Sequence, residues 1–576
     1  MSEAVATAPQ QDRSSTSLVE WGLLFLSPLF SFWLMHFHPV MQRGALDPYI
    51  YTGYIHNFVD LFDRYGATYY GVRFGTIIPG QIATTLFGSI AGYFVLRYAL
   101  ALTASVPLYL LVRQQHGRPA AAAVFAFLIT SPFLARTLLW DYTDATGVPF
   151  LFASLCLYGI EHRRRLLADV SAGLLAALAI HSNVFALVPL SIFFGAHLAL
   201  SLWWGREPTV VLRRLLVIAV TILVVSAAGA SYYWLRVGHV DIFSITATTS
   251  VWLTGGAIAD WRTPGIAWVA QQWSVVTPLV LVVLVPLVRP FRRMIFSEAL
   301  LWAASAGVTA FYYVYQFLLD GTFLQLFYYF SYLLPFVFML LSLVVASLIA
   351  TADEGWRWRL AGVIAVSGIG PWILYSTGMA NPGSLLLVHY AAIVAAASLL
   401  IVAAVHFPRH TSLSGLAGVA LGLMLVASFA GGQSTYAGTL NSRRRPASTE
   451  MDVYNVALQL IDNVPTWKER PGVLRFWYSN LPPDNSIQSI QSTYLWGRSK
   501  VQREGPGMPD LSAADLEIIR DQRLKWLMLL AERGEQLDEG REALLRAGIQ
   551  HASLARRVLA HGNYTLHLEL LDLQRP

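Results

Sequence analysis

The sequence predicts a polytopic α-helical membrane protein with about thirteen transmembrane helices and a C-terminal extracytoplasmic α/β domain. Hydrophobic residues make up 55% of its 576 residues, and its mean hydropathy is +0.51. Charged residues make up only 13%, about half the share that a soluble domain carries. Apolar runs of about 20 residues, enough to cross a hydrocarbon core of ~30 Å, recur up to residue 431 and then stop.

The first apolar run begins at Trp21, after a weakly charged N-terminal segment. It lacks the small-residue cleavage site of a signal peptide, so we expect it to remain as the first helix. The predicted transmembrane domain covers residues 20–431, with spans near 20–37, 89–112, 119–134, 146–160, 167–181, 184–204, 213–235, 275–288, 297–318, 326–350, 359–377, 384–406 and 413–431.

Arginines in the connections between spans predict the orientation, because cytoplasmic loops carry more positive charge. With residues 1–19 in the cytoplasm, the inner connections hold fourteen arginines and the longer outer ones hold six. The inner set is Arg113, Arg118, Arg163, Arg164, Arg165, Arg206, Arg213, Arg214, Arg289, Arg292, Arg293, Arg357, Arg359 and Arg409. The outer set is Arg43, Arg64, Arg73, Arg136, Arg236 and Arg262. We therefore expect a multi-pass protein of the bacterial inner membrane whose residues 432–576 are periplasmic.

Two outer segments, 38–88 and 237–274, are too long to be simple connectors, so we expect them to carry function. The first contains HNFVDLFDRYG and PGQIATTLFG. Both have helical spacing but too few apolar residues to span the membrane, which predicts helices that lie in the interface.

The soluble segment 432–576 alternates predicted helices with predicted strands, which favours a small α/β sheet domain. Its sequence contains no glycine-rich phosphate loop, no metal-ligand spacing and no nucleophile elbow, so we expect an accessory role. The helices are predicted near 449–463, near 512–522 and from Asp538, and the strands from Gly472, Lys525 and Asn563.

Composition also excludes other classes of protein. The net charge of +6 comes from arginines scattered through short loops, not from a basic face, so nucleic acid is not an expected partner. The single cysteine, Cys156, excludes an intramolecular disulfide framework and a cysteine-based metal site.

Carboxylates near a membrane are costly unless they have a task or a partner. Asp47 lies in GALDPYIYTGY soon after the first span, where the following Pro48 favours an extended backbone at the aspartate. Asp141 and Asp144 lie in LLWDYTDATG between the third and fourth spans, on the same outer side. Three carboxylates are thus predicted to gather at one face of the membrane.

The chain resembles the GT-C superfamily of polyprenyl-phosphate-dependent glycosyltransferases, which includes protein O-mannosyltransferases and the aminoarabinose transferases that modify lipid A. The resemblance covers most of the chain. It rests on Asp47 in the first outer loop, Arg73 in YYGVRFG, the pair Asp141 and Asp144, the many helices and the α/β tail. Many protein O-mannosyltransferases have two adjacent acids where this chain has Asp47 and Pro48, so the acceptor stays open.

The resemblance implies a membrane-bound transferase that moves a hexosyl or pentosyl group from a polyprenyl-phosphate donor to a hydroxyl of a lipid, glycan or protein, with inversion by single displacement. The reaction would occur on the periplasmic side, among membrane lipids. Such a transfer needs a base for the acceptor proton and groups that hold the departing phosphate.

Asp47 is the predicted general base, and the alternative is a turn cap before Pro48. Asp141 and Asp144 are predicted to orient the acceptor, or to bind a divalent cation together with Asp47. For Asp144 the alternative is a helix N-cap.

Three cationic or proton-donating side chains are predicted to bind the donor phosphate. Arg73 can form a bidentate pair with phosphate, or extend to lipid headgroups. Arg97 lies well inside the second span and implies a partner, either an outer-loop acid or the phosphate. His181, in LAIHSNVF, could donate to phosphate or be a structural residue.

Aromatic residues favour a platform for the lipid or sugar, with an interfacial belt as the alternative. The predicted platform consists of Tyr70, Tyr328, Tyr329 and Tyr332.

Two other functions are consistent with many helices. A transporter or lipid flippase would place charges near the bilayer midplane, often within internal repeats, whereas here the acids lie in outer loops and no repeat is evident. A polysaccharide polymerase or ligase would use a diphosphate-linked oligosaccharide donor.

Overall fold

The computed structural model describes fifteen longer stretches of the chain and several isolated residues. These are 18–34, 47–56, 58–68, 70–129, 144–160, 165–205, 208–239, 277–288, 294–318, 327–350, 474–478, 500–501, 510–521, 524–561 and 564–574, with 134, 137–138, 291, 324, 357–358, 361–362 and 508. Nearly all of segment 237–274, the last three predicted spans and the predicted helix near 449–463 lie outside the described residues.

Within these stretches the regular secondary structure up to residue 350 is helical, and residues 66–68 and 70–73 form bends, turns or irregular structure. The helices are α1 Leu18–Leu34, α2 Asp47–His56, α3 Phe58–Tyr65, α4 Phe74–Phe87, α5 Ser89–His116, α6 Arg118–Ile129, α7 Asp144–Gly159, α8 Arg165–Ser182, α9 Leu187–Trp203, α10 Pro208–Val237, α11 Thr277–Val288, α12 Phe296–Leu318, α13 Phe327–Phe330 and α14 Leu334–Ala350, with 3-10 turns at Val184–Ala186 and Ser331–Leu333. The first ten predicted spans therefore coincide with described helices.

The chain is a helical membrane protein. Among the described residues, four helices are long and apolar enough to cross a bilayer: Ala91–His116, Arg165–Ser182, Val184–Trp203 and Pro208–Val237. Helix α10 exposes large aliphatic side chains such as Leu216, Leu223 and Val224, as lipid contact requires.

Glycines with positive φ separate the central helices. Gly88 (φ +82°) ends α4, and its N–H donates to the Thr84 carbonyl; Gly117 (φ +85°) ends α5 in the same way with Arg113. This left-handed conformation costs glycine little. It lets α4, α5 and α6 follow one another and pack together.

Most of the helices pack around a large apolar core that includes residues of α5, α6, α7 and α14, and a smaller apolar cluster joins α3 to α4 and α10. Ion pairs join helices at the end predicted to be cytoplasmic. Glu20 lies 3.6 Å from Arg113 and 3.5 Å from Arg118, and Arg214 donates to both Asp169 carboxylate oxygens at 2.7 to 3.1 Å.

The described part of segment 38–88, from residue 47 onward, forms helices as predicted, but one expectation about it is wrong. The stretches HNFVDLFDRYG and PGQIATTLFG contribute to α3 and α4. Asp47, by contrast, begins helix α2 and is not in extended backbone. Pro48 is compatible with this because a proline in the first helical turn needs no N–H partner.

The C-terminal residues form a five-stranded sheet of order β2-β1-β3-β5-β4. Its elements are β1 Leu474–Tyr478, β2 Lys500–Val501, α15 Ala513–Asp521, β3 Trp526–Ala531, α16 Gly534–Arg546, β4 His551–His561 and β5 Tyr564–Leu573. The three predicted strands correspond to β1, β3 and β5. Strands β2 and β4 were not predicted, and β4 pairs antiparallel with β5 along its whole length.

Candidate active site

Three charged residues from distant parts of the sequence are buried together. The exposed fractions of Arg73, Arg97 and Asp144 are 1%, 3% and 0%. Arg97 interacts electrostatically with Asp144, and Tyr332 interacts with both Asp144 and Arg73. Tyr332 is therefore close to charges that come from the α3–α4 connection and from the start of α7.

Arg73 is held at the start of α4. Its Nη1 donates to the carbonyl of Ser182 at 3.2 Å. Ser182 is the last residue of α8, and the final carbonyls of a helix have no partner within that helix. The guanidinium carbon lies 5.8 Å from the centre of the Tyr51 ring. Tyr51 in turn packs edge-to-face on the predicted platform residue Tyr70, with centroids 5.4 Å apart.

Arg97 lies nine residues into α5, where an uncompensated charge is expensive. Asp144 at the start of α7 is an acid that interacts electrostatically with Arg97 and so supplies part of the compensation. The sequence implied a partner for Arg97, either an acid of the outer loops or the donor phosphate. Asp144 is such an acid, and a contact of Arg97 with phosphate stays a prediction.

A small, partly open cavity of about 10 Å³, room for about one water molecule, adjoins Arg97. Three threonines, a tyrosine and an arginine are among the residues that line it. The lining residues are Tyr51, Thr52, Ile55, Thr76, Leu96, Arg97 and Thr146.

Helix α2 contributes Tyr51 and Thr52 to this cavity and begins at Asp47. Asp47 is four residues before Tyr51, one helical turn or about 6 Å along the axis. The Asp47 side chain lies outside the described residues, and so does Asp141. Among the described side chains, no group of three or more Asp, Glu, His or Cys residues could hold a metal ion.

His181 contacts protein groups on two sides. Its Nε2 lies 2.7 Å from the Ser226 hydroxyl, and its ring stacks on Phe74 with centroids 4.0 Å apart. These contacts join α4, α8 and α10. A role for His181 toward phosphate stays a prediction.

The aromatic residues near α13 form a cluster around Phe185. The Tyr329 and Tyr332 rings lie 5.4 and 5.9 Å from the Phe185 ring, and Tyr312 donates to the Tyr329 carbonyl at 2.6 Å. Tyr329 and Tyr332 both interact electrostatically with Arg73, so these two platform residues lie near it. The fourth platform residue, Tyr328, has a side chain outside the described set.

Sequence reasoning did not find the hydroxyl residues of this region. Thr76 and Thr146 hydroxyls are 2.7 Å apart, and Thr146 donates to the Ser182 hydroxyl at 3.0 Å. A signal was present in the sequence, because Thr76 and Thr146 each adjoin a glycine, Gly75 and Gly147, that permits close helix contact.

Solved structures resemble this chain. The crystal structure of ArnT from Cupriavidus metallidurans bound to undecaprenyl phosphate has a TM-score of 0.46 and 14% identity, over 96% of this chain and 98% of that one. The Archaeoglobus fulgidus oligosaccharyltransferase tethered with an acceptor peptide has a TM-score of 0.38 and 13% identity, over 88% and 68%. The archaeal enzyme AglB from the same organism, in complex with an inhibitory peptide and a dolichol-phosphate, has a TM-score of 0.33 and 14% identity, over 89% and 69%.

These proteins belong to the GT-C superfamily of polyprenyl-phosphate-dependent glycosyltransferases, the superfamily that the sequence resembles. No protein-family model and no curated protein matches the chain.

Proposed function

We propose that this protein is a membrane glycosyltransferase that moves a sugar from a polyprenyl-phosphate donor to a hydroxyl acceptor on the periplasmic side of the inner membrane. The observation that carries the proposal is the burial of Arg73, Arg97 and Asp144 in one region of the helical part, where Arg97 also lines a small cavity. Buried charges inside a membrane protein are expected to serve a function, and two guanidinium groups suit the phosphate of such a donor.

The reaction assigns a role to each group. Asp47 removes the proton from the acceptor hydroxyl, and the acceptor oxygen bonds to the anomeric carbon. The bond from that carbon to the phosphate oxygen breaks, and polyprenyl phosphate leaves with the electron pair. Arg73 stabilises the departing charge through hydrogen bonds that strengthen as the charge develops.

Asp144 has a different role from Asp47 in this scheme. Because it is fully buried and interacts with Arg97, it compensates that cation and holds α7 in place against α5. Its carboxylate therefore supports the site, while acceptor orientation falls to Asp141 and the cavity hydroxyls.

The test is binding of undecaprenyl phosphate by the purified protein in detergent, measured by native mass spectrometry. Undecaprenol is the control for the lipid chain, and undecaprenyl diphosphate is the control for a polymerase or ligase. We expect undecaprenyl phosphate to bind best and Arg73→Ala to reduce it to the level of undecaprenol.

Arg213→Ala is the matched control variant, because Arg213 is an exposed arginine at the start of α10, at the opposite end of the bundle. It should leave binding unchanged. Equal binding of undecaprenol and undecaprenyl phosphate by the natural protein would contradict the proposal, and preference for the diphosphate would favour the polymerase or ligase.

A further inference from the structure

Three helices meet through a chain of hydroxyl groups next to Arg73. Thr76 of α4, Thr146 of α7 and Ser182 of α8 follow one another at 2.7 and 3.0 Å, and the Ser182 hydroxyl donates to the Leu178 carbonyl at 2.8 Å. All three are buried, with exposed fractions of 6%, 1% and 0%. A buried run of hydrogen bonds of this kind is costly to interrupt.

The direction of these hydrogen bonds follows from counting the hydroxyl protons. A hydroxyl has a single proton to donate, and Ser182 gives its proton to the Leu178 carbonyl while Thr146 gives its proton to Ser182. Thr76 must therefore be the donor to Thr146. Every proton points from α4 through α7 into the last turn of α8.

This run of hydrogen bonds ends at Ser182, the residue whose carbonyl binds Arg73. The Ser182 hydroxyl accepts from the Thr146 hydroxyl at 3.0 Å, and the Ser182 carbonyl accepts from the Arg73 guanidinium at 3.2 Å. Asn183, in extended backbone, ends α8 at this point and caps the next turn by accepting from the Phe185 N–H. The Ser182 carbonyl is thus a terminal carbonyl whose position depends on how the α8 end is fixed.

We propose that Thr76, Thr146 and Ser182 form a positioning relay that sets the Arg73 guanidinium for a lipid phosphate. The proposal rests on the proposed function. The hydroxyls act through Arg73 and need not touch the ligand, because they fix the carbonyl that orients the guanidinium. A bidentate contact to phosphate depends on that orientation more than on charge alone.

Two glycines support the same junction. A Cβ on Gly75 would lie 2.2 Å from the Leu178 carbonyl oxygen, and a Cβ on Gly147 would lie 2.1 Å from the Tyr332 hydroxyl. The helices are therefore close enough for short hydroxyl side chains to span the gaps between them. Replacing a hydroxyl by a methyl group in this space removes a hydrogen bond with almost no change of volume.

The experiment is a double-mutant cycle between Thr146→Val and Arg73→Ala, with the dissociation constant of undecaprenyl phosphate as the readout. Thr146→Val should weaken binding about 5-fold, which corresponds to about 1 kcal/mol, the usual size of one hydrogen bond. In the Arg73→Ala background the same change should have an effect below about 2-fold, because the relay acts through Arg73. Thr146→Ser, which keeps the hydroxyl, should restore binding.

Thr103→Val is the matched control, since the Thr103 hydroxyl bonds only to Ala99 of its own helix among the described contacts, at 2.8 Å, and is exposed. It should bind like the natural protein. Ser182→Ala provides a second interruption of the relay should Thr146→Val be poorly folded, and it too should weaken binding only when Arg73 is present.

The outcomes separate the two proposals. Equal effects of Thr146→Val with and without Arg73 would overturn the relay, as would a failure of Thr146→Ser to restore binding. If Arg73→Ala itself leaves the affinity for undecaprenyl phosphate unchanged, the proposed function fails at Arg73, and the relay fails with it. A loss with Arg73→Ala but none with either relay variant overturns the relay alone.

Discussion

Replacing Gly75 by alanine tests the close contact between α4 and α8. An alanine there would place its Cβ 2.2 Å from the Leu178 oxygen and 2.6 Å from the Ser182 nitrogen. Both are backbone atoms of α8, so neither can move aside as a flexible side chain would. Because ordinary contacts to carbon begin near 3.5 Å, the two helices must separate by about 1 Å.

The expected cost is about 1 to 3 kcal/mol, the range for overpacking a well-packed core. The functional effect should be larger. Arg73 is two residues before Gly75 and moves with α4, and a displacement of about 1 Å can cost on the order of 100-fold in a reaction that depends on positioning. We expect a lower thermal midpoint in detergent and at least about 10-fold weaker binding of undecaprenyl phosphate.

Gly195→Ala is the matched control. Gly195 also lies inside a helix, α9, but a Cβ there would meet nothing within 4 Å. The same substitution should therefore raise stability, by about 0.5 to 1 kcal/mol, because alanine loses less backbone freedom than glycine. Differential scanning fluorimetry and native mass spectrometry on both variants give the comparison. Equal midpoints and equal binding would show that α4 and α8 do not touch as described.

Three further predictions concern single groups. Asp47→Asn should abolish sugar transfer while leaving undecaprenyl phosphate binding intact, because the amide keeps the shape and loses the basicity; normal turnover would remove Asp47 as the base. Arg73→Lys keeps the charge but loses the planar fork, so phosphate affinity should fall by about 3- to 10-fold, and an unchanged dissociation constant would argue against a bidentate contact. Burial, and then the neighbouring Arg556, lower the pKa of His567 in β5. The stabilising effect of neutral His567 is therefore present above its unfolded pKa of about 6.5, and it is lost as pH falls through the lower folded value. Limited proteolysis of the sheet at pH ~5.5 and ~7.5 should show this loss, and His567→Gln should reduce it.

The sheet illustrates how far local patterns extend. Strands β1, β3 and β5 were predictable because each is a short apolar or alternating run, and Leu527, Leu529 and Leu571 from two of them share one apolar core. Strand β4 escaped prediction because the exposed side chains of Arg556, Arg557 and Val558 interrupt any alternation. It forms because β5 pairs with it at ten register positions. The residues that determine this strand therefore lie partly in another part of the chain.

The sequence by itself determined the helices of the membrane part. The lipid imposes this, because backbone N–H and C=O groups in hydrocarbon must form their hydrogen bonds within their own segment. Apolar runs of about 20 residues therefore become helices whatever their neighbours are. It also marked Arg73, Arg97 and Asp144 as unusual, because charge in or near lipid is expensive wherever the helix ends up.

Only the tertiary structure decided which of these residues meet. Arg97 interacts electrostatically with Asp144 because α5 and α7 pack side by side, and His181 lies beside Ser226 because α8 and α10 pack side by side. The relay from Thr76 to Ser182 has no periodicity or motif. Hydroxyl groups are tolerated on many helix faces, and they join only where close helix packing brings them within about 3 Å. That packing is a property of three helices at once, and no single stretch of sequence encodes it.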